Sequence, residues 1–151
     1  MEIKKLNLGC GSNWKKLYPD YEGLDIVDHG QKYVVDILKF LKDGYCKSEF
    51  IGKFDEVMAN HFLEHFDQKD LKNIFLGVRL LLKKGGIFKI VVPHMKRPEA
   101  WYLVHKTFFN EETFKMFDRV NTDSYAELGK WKVKSLVTND RGDIHCQLER
   151  L

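Results

Sequence analysis

The sequence predicts an α/β domain in which a doubly wound, mostly parallel sheet ends in an antiparallel β-hairpin. Short β-branched and aromatic runs alternate with helical patterns, the first run enters a glycine turn at 9–11, and the last two runs flank a polar turn at 139–143. Alternation favours parallel pairing with helices on both faces of the sheet, because each crossover helix returns the chain to the same end of the sheet. Two strands joined by a short polar turn pair antiparallel.

Length and composition indicate one globular domain over residues 1–151. Hydrophobic residues make up 44% and charged residues 31% of the chain, a balance that buries a core without disulfides or metals. No apolar run approaches the roughly 18 residues of a membrane span. No signal peptide is visible, so we expect a cytoplasmic protein without a membrane partner. The net charge of +3 does not indicate nucleic acid as a partner.

The cysteines predict reduced thiols. Cys10, Cys46 and Cys146 are odd in number, far apart and free of Cys-x-x-Cys spacing. This distribution argues against both a disulfide framework and a thiolate metal cluster.

The first half of the chain predicts four strands with short connections. Alternating or β-branched runs define the strands at 3–8, 23–28, 32–37 and 54–60. Trp14 and Pro19 fall in a stretch too short and too broken for a full crossover helix, so a short helix or turn is expected at 13–22. A second short helix is expected at 38–42, followed by an irregular loop to Lys53.

The strongest helical pattern lies at 71–82, where apolar residues recur at the spacing of one helix face. Asp67 is the expected N-cap. The run Lys83-Lys84-Gly85-Gly86 is expected to end the helix with cations and a glycine C-cap. The run at 87–92, ended by Pro93, predicts a central strand buried on both faces.

The C-terminal part of the chain predicts a helix and then the hairpin. Asn110 is the expected N-cap, with Glu111 and Glu112 in the first turn. The runs at 131–138 and 144–148 flank the polar turn and predict the antiparallel pair.

The glycine turn after the first strand is the expected position of a small ligand. Gly9 and Gly11 lack a Cβ, so the backbone can adopt positive φ there and approach a ligand closely. Asp25 and Asp36 each follow in a later strand, near the edge where nucleotide-binding sheets hold their ligands. An ordinary tight turn is the alternative interpretation of Gly-x-Gly.

Taken in order, six motifs resemble those of the class I S-adenosylmethionine-dependent methyltransferases, in particular the small members whose first motif is LNLGCG. They are LNLGCGS at 6–12, GLDI at 23–26, VVDIL at 34–38, FDEVMANHFLEHF at 54–66, LLKKGGIFKIVVP at 81–93 and FFNEETF at 108–114. The resemblance spans nearly the whole chain. It implies a Rossmann-like fold that binds S-adenosylmethionine and transfers its methyl group to an unidentified small-molecule or macromolecular acceptor.

The resemblance also implies roles in cofactor binding. Gly9, Cys10 and Gly11 would lie against the methionine part of S-adenosylmethionine, with backbone N–H groups facing its carboxylate. The carboxylate of Asp25 would accept hydrogen bonds from both ribose hydroxyls, with a helix N-cap as its alternative role. The complete implied set of cofactor-binding residues is Leu8, Gly9, Cys10, Gly11, Asp25, Ile26, Asp36, Ile37, Asn60 and His61.

Further roles concern the adenine and the methyl group. Asp36 would accept from the adenine amino group while the N–H of Ile37 serves a ring nitrogen. Asn60 and His61 follow the fourth strand, where the family lines the methionine and the transferring methyl group. A plain surface position is the alternative for His61.

The chain also departs from the family pattern. Trp14 stands where a Gly-x-Gly-x-x-Gly turn has its third glycine, so we expect an abbreviated first crossover. Larger members carry helices ahead of the first strand as a cap over the cofactor, whereas this sequence enters its first strand almost at once. We therefore expect either an open site or a site closed by the segment 94–109, by a homodimer partner or by another subunit.

The segment 94–109 is expected to form the acceptor side of the site. His94, Arg97 and Trp101 are the predicted acceptor-binding residues, since a mixture of polar and aromatic side chains suits a lid. Phe108 and Phe109 are instead expected to complete the core.

A general base is not obligatory for methyl transfer, because the reaction is an in-line displacement with an excellent leaving group and positioning can supply much of the rate. If the acceptor must lose a proton, His61 and His94 are the predicted catalytic residues. His105 is a further candidate, since imidazole titrates near neutral pH.

Three other classes of protein compete with this interpretation. His61-x-x-Glu64-His65 matches an inverted zinc-peptidase pattern and so a metal-dependent hydrolase, but no third ligand is marked and we expect no bound metal. A nicotinamide-dependent dehydrogenase begins with a similar turn, yet its third glycine is missing here. A non-catalytic cofactor-binding subunit is the remaining alternative, because no substrate-binding insertion is visible.

Overall fold

A computed structural model describes residues 2–42, 49–119 and 128–151. Within these residues seven strands form one sheet, flanked by four α-helices. The strands are β1 Lys5–Leu8, β2 Glu22–Asp25, β3 Tyr33–Val34, β4 Phe54–Asn60, β5 Leu82–Pro93, β6 Trp131–Thr138 and β7 Asp143–Arg150. The helices are α1 Trp14–Leu17, α2 Ile37–Lys42, α3 Gln68–Leu81 and α4 Glu111–Arg119.

The strand order is β3-β2-β1-β4-β5-β7-β6. The five strands β1 to β5 are parallel to one another, whereas β7 runs antiparallel to both β5 and β6. The predicted mostly parallel sheet with a C-terminal antiparallel hairpin is therefore confirmed. The strand order reverses at β1, and in parallel sheets that switch point opens a crevice at the carboxyl ends of the strands.

One face of the sheet carries the hydrophobic core. Helix α3 places the predicted apolar stripe against it, and all five residues from Leu71 to Leu81 in that stripe are buried: Leu71, Ile74, Phe75, Val78 and Leu81. Asp67 caps α3 as predicted, because its carboxylate accepts from the N–H of Asp70 at 2.9 Å. Helices α2 and α4 pack on the same face through Phe40 and Phe114.

The opposite face is covered mainly by α1 and the residues after it. The predicted abbreviated crossover is confirmed, since α1 has four residues and buries Trp14. The side-chain amide of Asn60 donates to the hydroxyl of Tyr18 at 2.9 Å, and the hydroxyl of Tyr21 donates to Glu56. Helices therefore lie on both faces of the sheet, but one face has three helices and the other has only the four-residue α1 among the described residues.

The prediction that the strand at 87–92 is buried on both faces is wrong. Phe88 and the alternate residues that follow it are buried in the core, whereas Ile87, Lys89 and Val91 are only half-buried. The ammonium of Lys89 lies 3.0 Å from a carboxylate oxygen of Glu56 on the neighbouring strand. The cause is the short crossover, because α1 is the only helix of the described chain on this face.

The prediction of a glycine C-cap at 83–86 is also wrong. Helix α3 ends at Leu81, and the chain turns directly into β5 with Leu82 in extended conformation. Gly85 has φ +79° inside β5, where the pairing with β4 shifts register and forms a bulge. Lys83 pairs with Asp55 at 2.7 Å instead of serving the helix end.

Strands β2 and β3 are shorter than the runs that predicted them. After Asp25 the chain turns, with the N–H of Val27 donating to the Asp25 carboxylate at 3.0 Å. After β3 the chain reaches α2, which begins at Ile37. Local side-chain hydrogen bonds thus end both strands early.

The remaining C-terminal predictions hold. Asn110 caps α4 by accepting from the N–H of Thr113 at 3.2 Å, and the turn at 139–142 joins β6 to β7. Cys10 and Cys146 are free thiols, while Cys46 and part of the predicted loop lie at 43–48, outside the described residues. None of the described helices has the length and apolar character needed to cross a membrane.

Candidate functional site

A cleft of about 400 Å³ opens at the carboxyl ends of β1, β2 and β4. Its volume is within the range of small-molecule sites. Of the predicted cofactor-binding residues, six line the cleft: Gly9, Asp25, Ile26, Asp36, Ile37 and His61. Five residues that were not predicted complete the lining: Leu24, Val35, Phe62, His65 and Phe66.

The glycine turn forms the floor of the cleft by close packing. Gly9 has φ +62°, and a Cβ there would lie 2.2 Å from the ring of Phe62. The N–H groups of Gly9 and Cys10 donate to the carbonyl of Leu24 at 2.8 and 3.1 Å. In this conformation these amides are therefore occupied within the protein, and the missing Cβ of Gly9 leaves room for the Phe62 ring.

Asp25 ties the glycine turn to the end of β2. Its Oδ2 accepts from the N–H of Gly11 at 2.9 Å and its Oδ1 from the N–H of Val27 at 3.0 Å. The alternative role of helix N-cap does not apply, because β3 and not a helix follows Asp25 in the described chain. Each carboxylate oxygen retains a second lone pair that can accept from a ligand hydroxyl.

Asp36 is the N-cap of α2. Its Oδ1 accepts from the N–H of Leu38 at 2.8 Å and from that of Lys39 at 3.3 Å. This bond fixes the start of α2 beside the cleft, and Ile37 is the first residue of the helix. The first N–H groups of a helix have no partner within it, so the position of Ile37 suits donation to a ligand.

His61 lines the cleft and also lies beside the carboxylates of Glu64 and Asp143. Its φ of +50° is the one positive value among the described non-glycine residues, a strained conformation that often accompanies function. Its Nδ1 lies 3.4 Å from Glu64 Oε1 and its Nε2 lies 3.6 Å from Asp143 Oδ1. The pKa of His61 is raised, because hydrogen bonding to Glu64 outweighs partial burial and Asp143 adds to the effect.

Sequence reasoning missed Asp143. It is buried at the start of β7, and its carboxylate accepts from the guanidinium of Arg97. Its backbone N–H donates to Asn139 Oδ1 at 2.9 Å. The sequence shows that Asp143 lies in the polar turn of the predicted hairpin. It does not show that β7 pairs with β5, and this pairing is what brings Asp143 beside His61.

Four predicted cofactor residues do not line the cleft. Leu8 is fully buried in the core, and Asn60 is engaged with Tyr18. Gly11 contributes through its bond to Asp25. The thiol of Cys10 faces the backbone of β2, and burial raises its pKa to about 11.

The predicted acceptor residues take three different positions. His94 is buried outside the cleft, with Nδ1 accepting from the N–H of Lys96 at 3.0 Å and Nε2 lying 3.1 Å from Glu111 Oε2. Since Nδ1 is an acceptor, Nε2 carries the proton and donates to Glu111. Arg97 binds Asp143 and so reaches the neighbourhood of His61. Trp101 is exposed and donates to the carbonyl of Met95 at 2.8 Å.

The segment 94–109 folds back over the residues that follow β4. The N–H of Lys106 donates to the carbonyl of Glu64 at 2.7 Å, and the hydroxyl of Thr107 donates to the carbonyl of Phe66 at 2.6 Å. Phe109 is buried in the core as predicted. The prediction for Phe108 is wrong, because this ring is partly exposed and stacks on Trp101 with centroids 4.2 Å apart.

A second cleft, of about 480 Å³, lies between α3 and α4. It is mainly apolar, and its described lining includes neither a carboxylate nor a histidine. The cleft at β1 is therefore the better candidate for chemistry.

The strand order and the position of the cleft define a class I methyltransferase fold of the Rossmann-like type, and the comparisons agree. A SAM-dependent methyltransferase from Archaeoglobus fulgidus aligns over 97% of this chain and 86% of its own with a TM-score of 0.66 at 17% identity. The Burkholderia thailandensis 1,6-didemethyltoxoflavin-N1-methyltransferase, with bound 1,6-didemethyltoxoflavin and S-adenosylhomocysteine, aligns over 97% of this chain and 70% of its own with a TM-score of 0.66 at 14% identity.

The antibiotic-resistance methyltransferase Kmr aligns over 99% of this chain and 87% of its own with a TM-score of 0.60 at 15% identity. At these identities the likeness is one of fold. No family model matched the sequence, and no curated protein sequence matched it either. The assignment to the LNLGCG type therefore stays a prediction.

Proposed function

We propose that this protein binds S-adenosylmethionine in the cleft at β1 and transfers its methyl group to an acceptor. The observation that carries the proposal is the convergence of Gly9, Asp25 and His61 on one cleft at the switch point of a methyltransferase-type sheet. Backbone without a side chain at Gly9 and a carboxylate with free lone pairs at Asp25 line this cleft together, and they suit a cofactor that combines an amino acid with a nucleoside.

The lining residues support one direction of binding. Asp36 and Ile37 at the start of α2 suit the adenine, and Asp25 suits the ribose hydroxyls, since a carboxylate can accept two hydrogen bonds. Ile26 and Phe62 provide apolar surface, and His61 stands at the opposite end, toward Asp143. That end suits the methionine part and the methyl group.

The contribution of this chain to the reaction is positioning. When bound, S-adenosylmethionine supplies an activated methyl group with a neutral thioether as leaving group. The fixed backbone at Gly9 and His61 would hold the reacting atoms in line and exclude water, which can supply much of the rate. His61 is the candidate to take a proton from the acceptor, because it lines the cleft and its Nε2 lies 3.6 Å from Asp143 Oδ1, beyond hydrogen-bond distance, whereas both ring nitrogens of His94 have hydrogen-bond partners.

The segment 94–109 supports an acceptor side next to this end of the cleft. Arg97 pairs with Asp143, the residue beside His61, and His105 contacts His65, which lines the cleft. In this arrangement His94 acts by holding the segment to α4 through Glu111, and Trp101 lies on its exposed surface. The acceptor would then approach between this segment and the β6–β7 turn.

The geometry does not favour the metal-dependent hydrolase. That motif places two histidines on one face of an α-helix, but residues 63–65 form a single 3₁₀ turn and His61 has positive φ. His61 and His65 therefore do not lie one turn apart on the same helix face, as that motif requires.

Calorimetry with purified protein tests cofactor binding directly. We expect binding of S-adenosylmethionine and S-adenosylhomocysteine but not of NAD, and the reverse pattern would overturn the proposal. Methyl transfer to acceptors in a fractionated extract, followed with a radiolabelled methyl group, then separates an enzyme from a non-catalytic cofactor-binding subunit.

A further inference from the structure

We propose that Glu64, His65 and His105 form a binding site for one divalent transition-metal ion at the rim of the cleft. One ligand atom of each side chain lies within 4.8 Å of those of the other two. Glu64 and His65 belong to the turn after β4, whereas His105 comes from the segment 94–109. The cluster therefore joins two segments that are distant in the sequence.

The carboxylate of Glu64 is the first reason for a cation. Its side chain is buried, with the residue 1% exposed. Oε1 lies 3.4 Å from His61 Nδ1, but Oε2 has no hydrogen-bond partner among the described residues. A buried carboxylate oxygen without a partner costs free energy, and a bound cation removes that cost.

The two imidazoles are held as metal-ligating histidines are held. Nδ1 of His65 lies 3.4 Å from the carbonyl of Val104, and Nδ1 of His105 lies 3.2 Å from the carbonyl of Ala100. A carbonyl can only accept, so each Nδ1 carries the proton and each Nε2 keeps a lone pair for a metal. The ring centroids are 4.9 Å apart with the planes at 81°.

The site is also preassembled. The N–H of Lys106 donates to the carbonyl of Glu64, and the hydroxyl of Thr107 donates to the carbonyl of Phe66. These bonds fix the residues after His105 against the turn that carries Glu64 and His65. Ligands bound at about 2.1 Å from one ion lie roughly 3 to 3.5 Å apart, so small side-chain rotations would close the cluster.

Two imidazoles and one carboxylate favour zinc, iron, cobalt or manganese over calcium and magnesium, which prefer oxygen ligands. Three protein ligands leave at least one coordination position open. His65 also lines the cleft, so the open position would be available to a water or an acceptor oxygen. This site differs from the sequence motif, because His105 replaces His61 as the third ligand. It therefore replaces the expectation from the sequence that the protein binds no metal.

Cobalt(II) titration of tag-free, EDTA-treated protein tests the site through the visible absorption of the bound ion, with zinc and manganese followed by calorimetry. We expect one ion per chain. Glu64→Gln and His105→Ala should each weaken binding by at least about tenfold. His145→Ala, at an exposed histidine of β7, is the matched control and should bind as the parent protein does.

Melting temperatures complete the test. At equal metal concentration, metal should raise the melting temperature of the parent protein more than that of Glu64→Gln, and without metal the nearly isosteric Glu64→Gln should melt no lower than the parent. Less than one ion per chain, or equal binding by the parent and Glu64→Gln, would overturn the site. These titrations contain no S-adenosylmethionine, so their result is independent of the proposed cofactor.

Discussion

The N–H of Gly11 donates to the carboxylate of Asp25 across 2.9 Å. This bond joins the turn after β1 to the end of β2, two neighbouring parallel strands. Asp25 therefore shapes the floor of the cleft as well as lining it. Asp25 thus both holds the glycine turn in place and offers the acceptor oxygens that a ribose would need.

Replacement of Asp25 should weaken cofactor binding. Asp25→Ala removes the acceptors for the ribose hydroxyls and for Gly11, so we expect a loss of about 1 to 3 kcal/mol in the binding of S-adenosylhomocysteine. Calorimetry measures the affinity, and thermal melting establishes that the variant is folded. Asp28→Ala is the control, because Asp28 is an exposed acid of the next turn whose bond is to Gly30. Unchanged affinity in folded Asp25→Ala would remove Asp25 from the site.

The two described cysteines should react slowly. Burial raises the pKa of Cys10 to about 11 and that of Cys146 to about 12. At pH 8 the thiolate of Cys10 is then about a hundredfold scarcer than that of an ordinary thiol, and the thiolate is the reactive form. In a Cys46→Ser variant, thiol titration at pH 8 should be slow in the native protein and fast in denaturant. Rapid native labelling of Cys10 would show that the turn opens in solution.

Much of the fold could be predicted because its signals are local. The apolar stripe of α3, the β-branched run of β5 and the polar turn before β7 each report their own structure through side-chain spacing. Where the prediction failed, a distant element decided. The exposure of Lys89 follows from the length of α1, and the bulge at Gly85 follows from pairing with β4.

The candidate site divides in the same way. Gly9, Asp25 and Asp36 lie in motifs whose position after a strand already places them at one edge of the sheet. Asp143 and His105 come from other parts of the chain and meet His61 and His65 only through tertiary structure. The sequence shows that such residues exist, but not that they are neighbours.

The contact between α4 and the hairpin should depend on pH. The pKa of Glu111 is lowered to about 2, chiefly because Thr138 donates to its carboxylate at 2.6 Å, with His94 adding to the effect. A carboxyl whose pKa is lower in the folded than in the unfolded protein stabilises the fold above its unfolded value, and this contribution is lost as pH falls toward the folded value.

Glu111→Gln tests this contribution by urea denaturation. At neutral pH the variant should be less stable than the parent by no more than about 1 kcal/mol, since the side chain is 38% exposed and solvent screens the interaction. The difference should shrink between about pH 4.5 and pH 2. Glu112→Gln, at an exposed neighbour that pairs with Lys115 and Arg119, is the control for a surface ion pair. A difference that grows on acidification contradicts the assignment.

Gly9 and Gly11 should respond differently to alanine, although both have positive φ. A Cβ at Gly11 meets no atom within 4 Å, so Gly11→Ala should cost only the backbone strain, about 1 to 2 kcal/mol. A Cβ at Gly9 lies 2.2 Å from the Phe62 ring, so Gly9→Ala should add an overpacking cost of about 1 to 3 kcal/mol and displace Phe62 into the cleft. Denaturant unfolding gives both stabilities, and calorimetry with S-adenosylhomocysteine shows whether the cleft is blocked.

A double variant tests the cause of the cost at Gly9. Phe62→Leu combined with Gly9→Ala should be more stable than the sum of the two single changes predicts, because the two residues are in contact. Strict additivity would show that the cost at Gly9 is backbone strain alone.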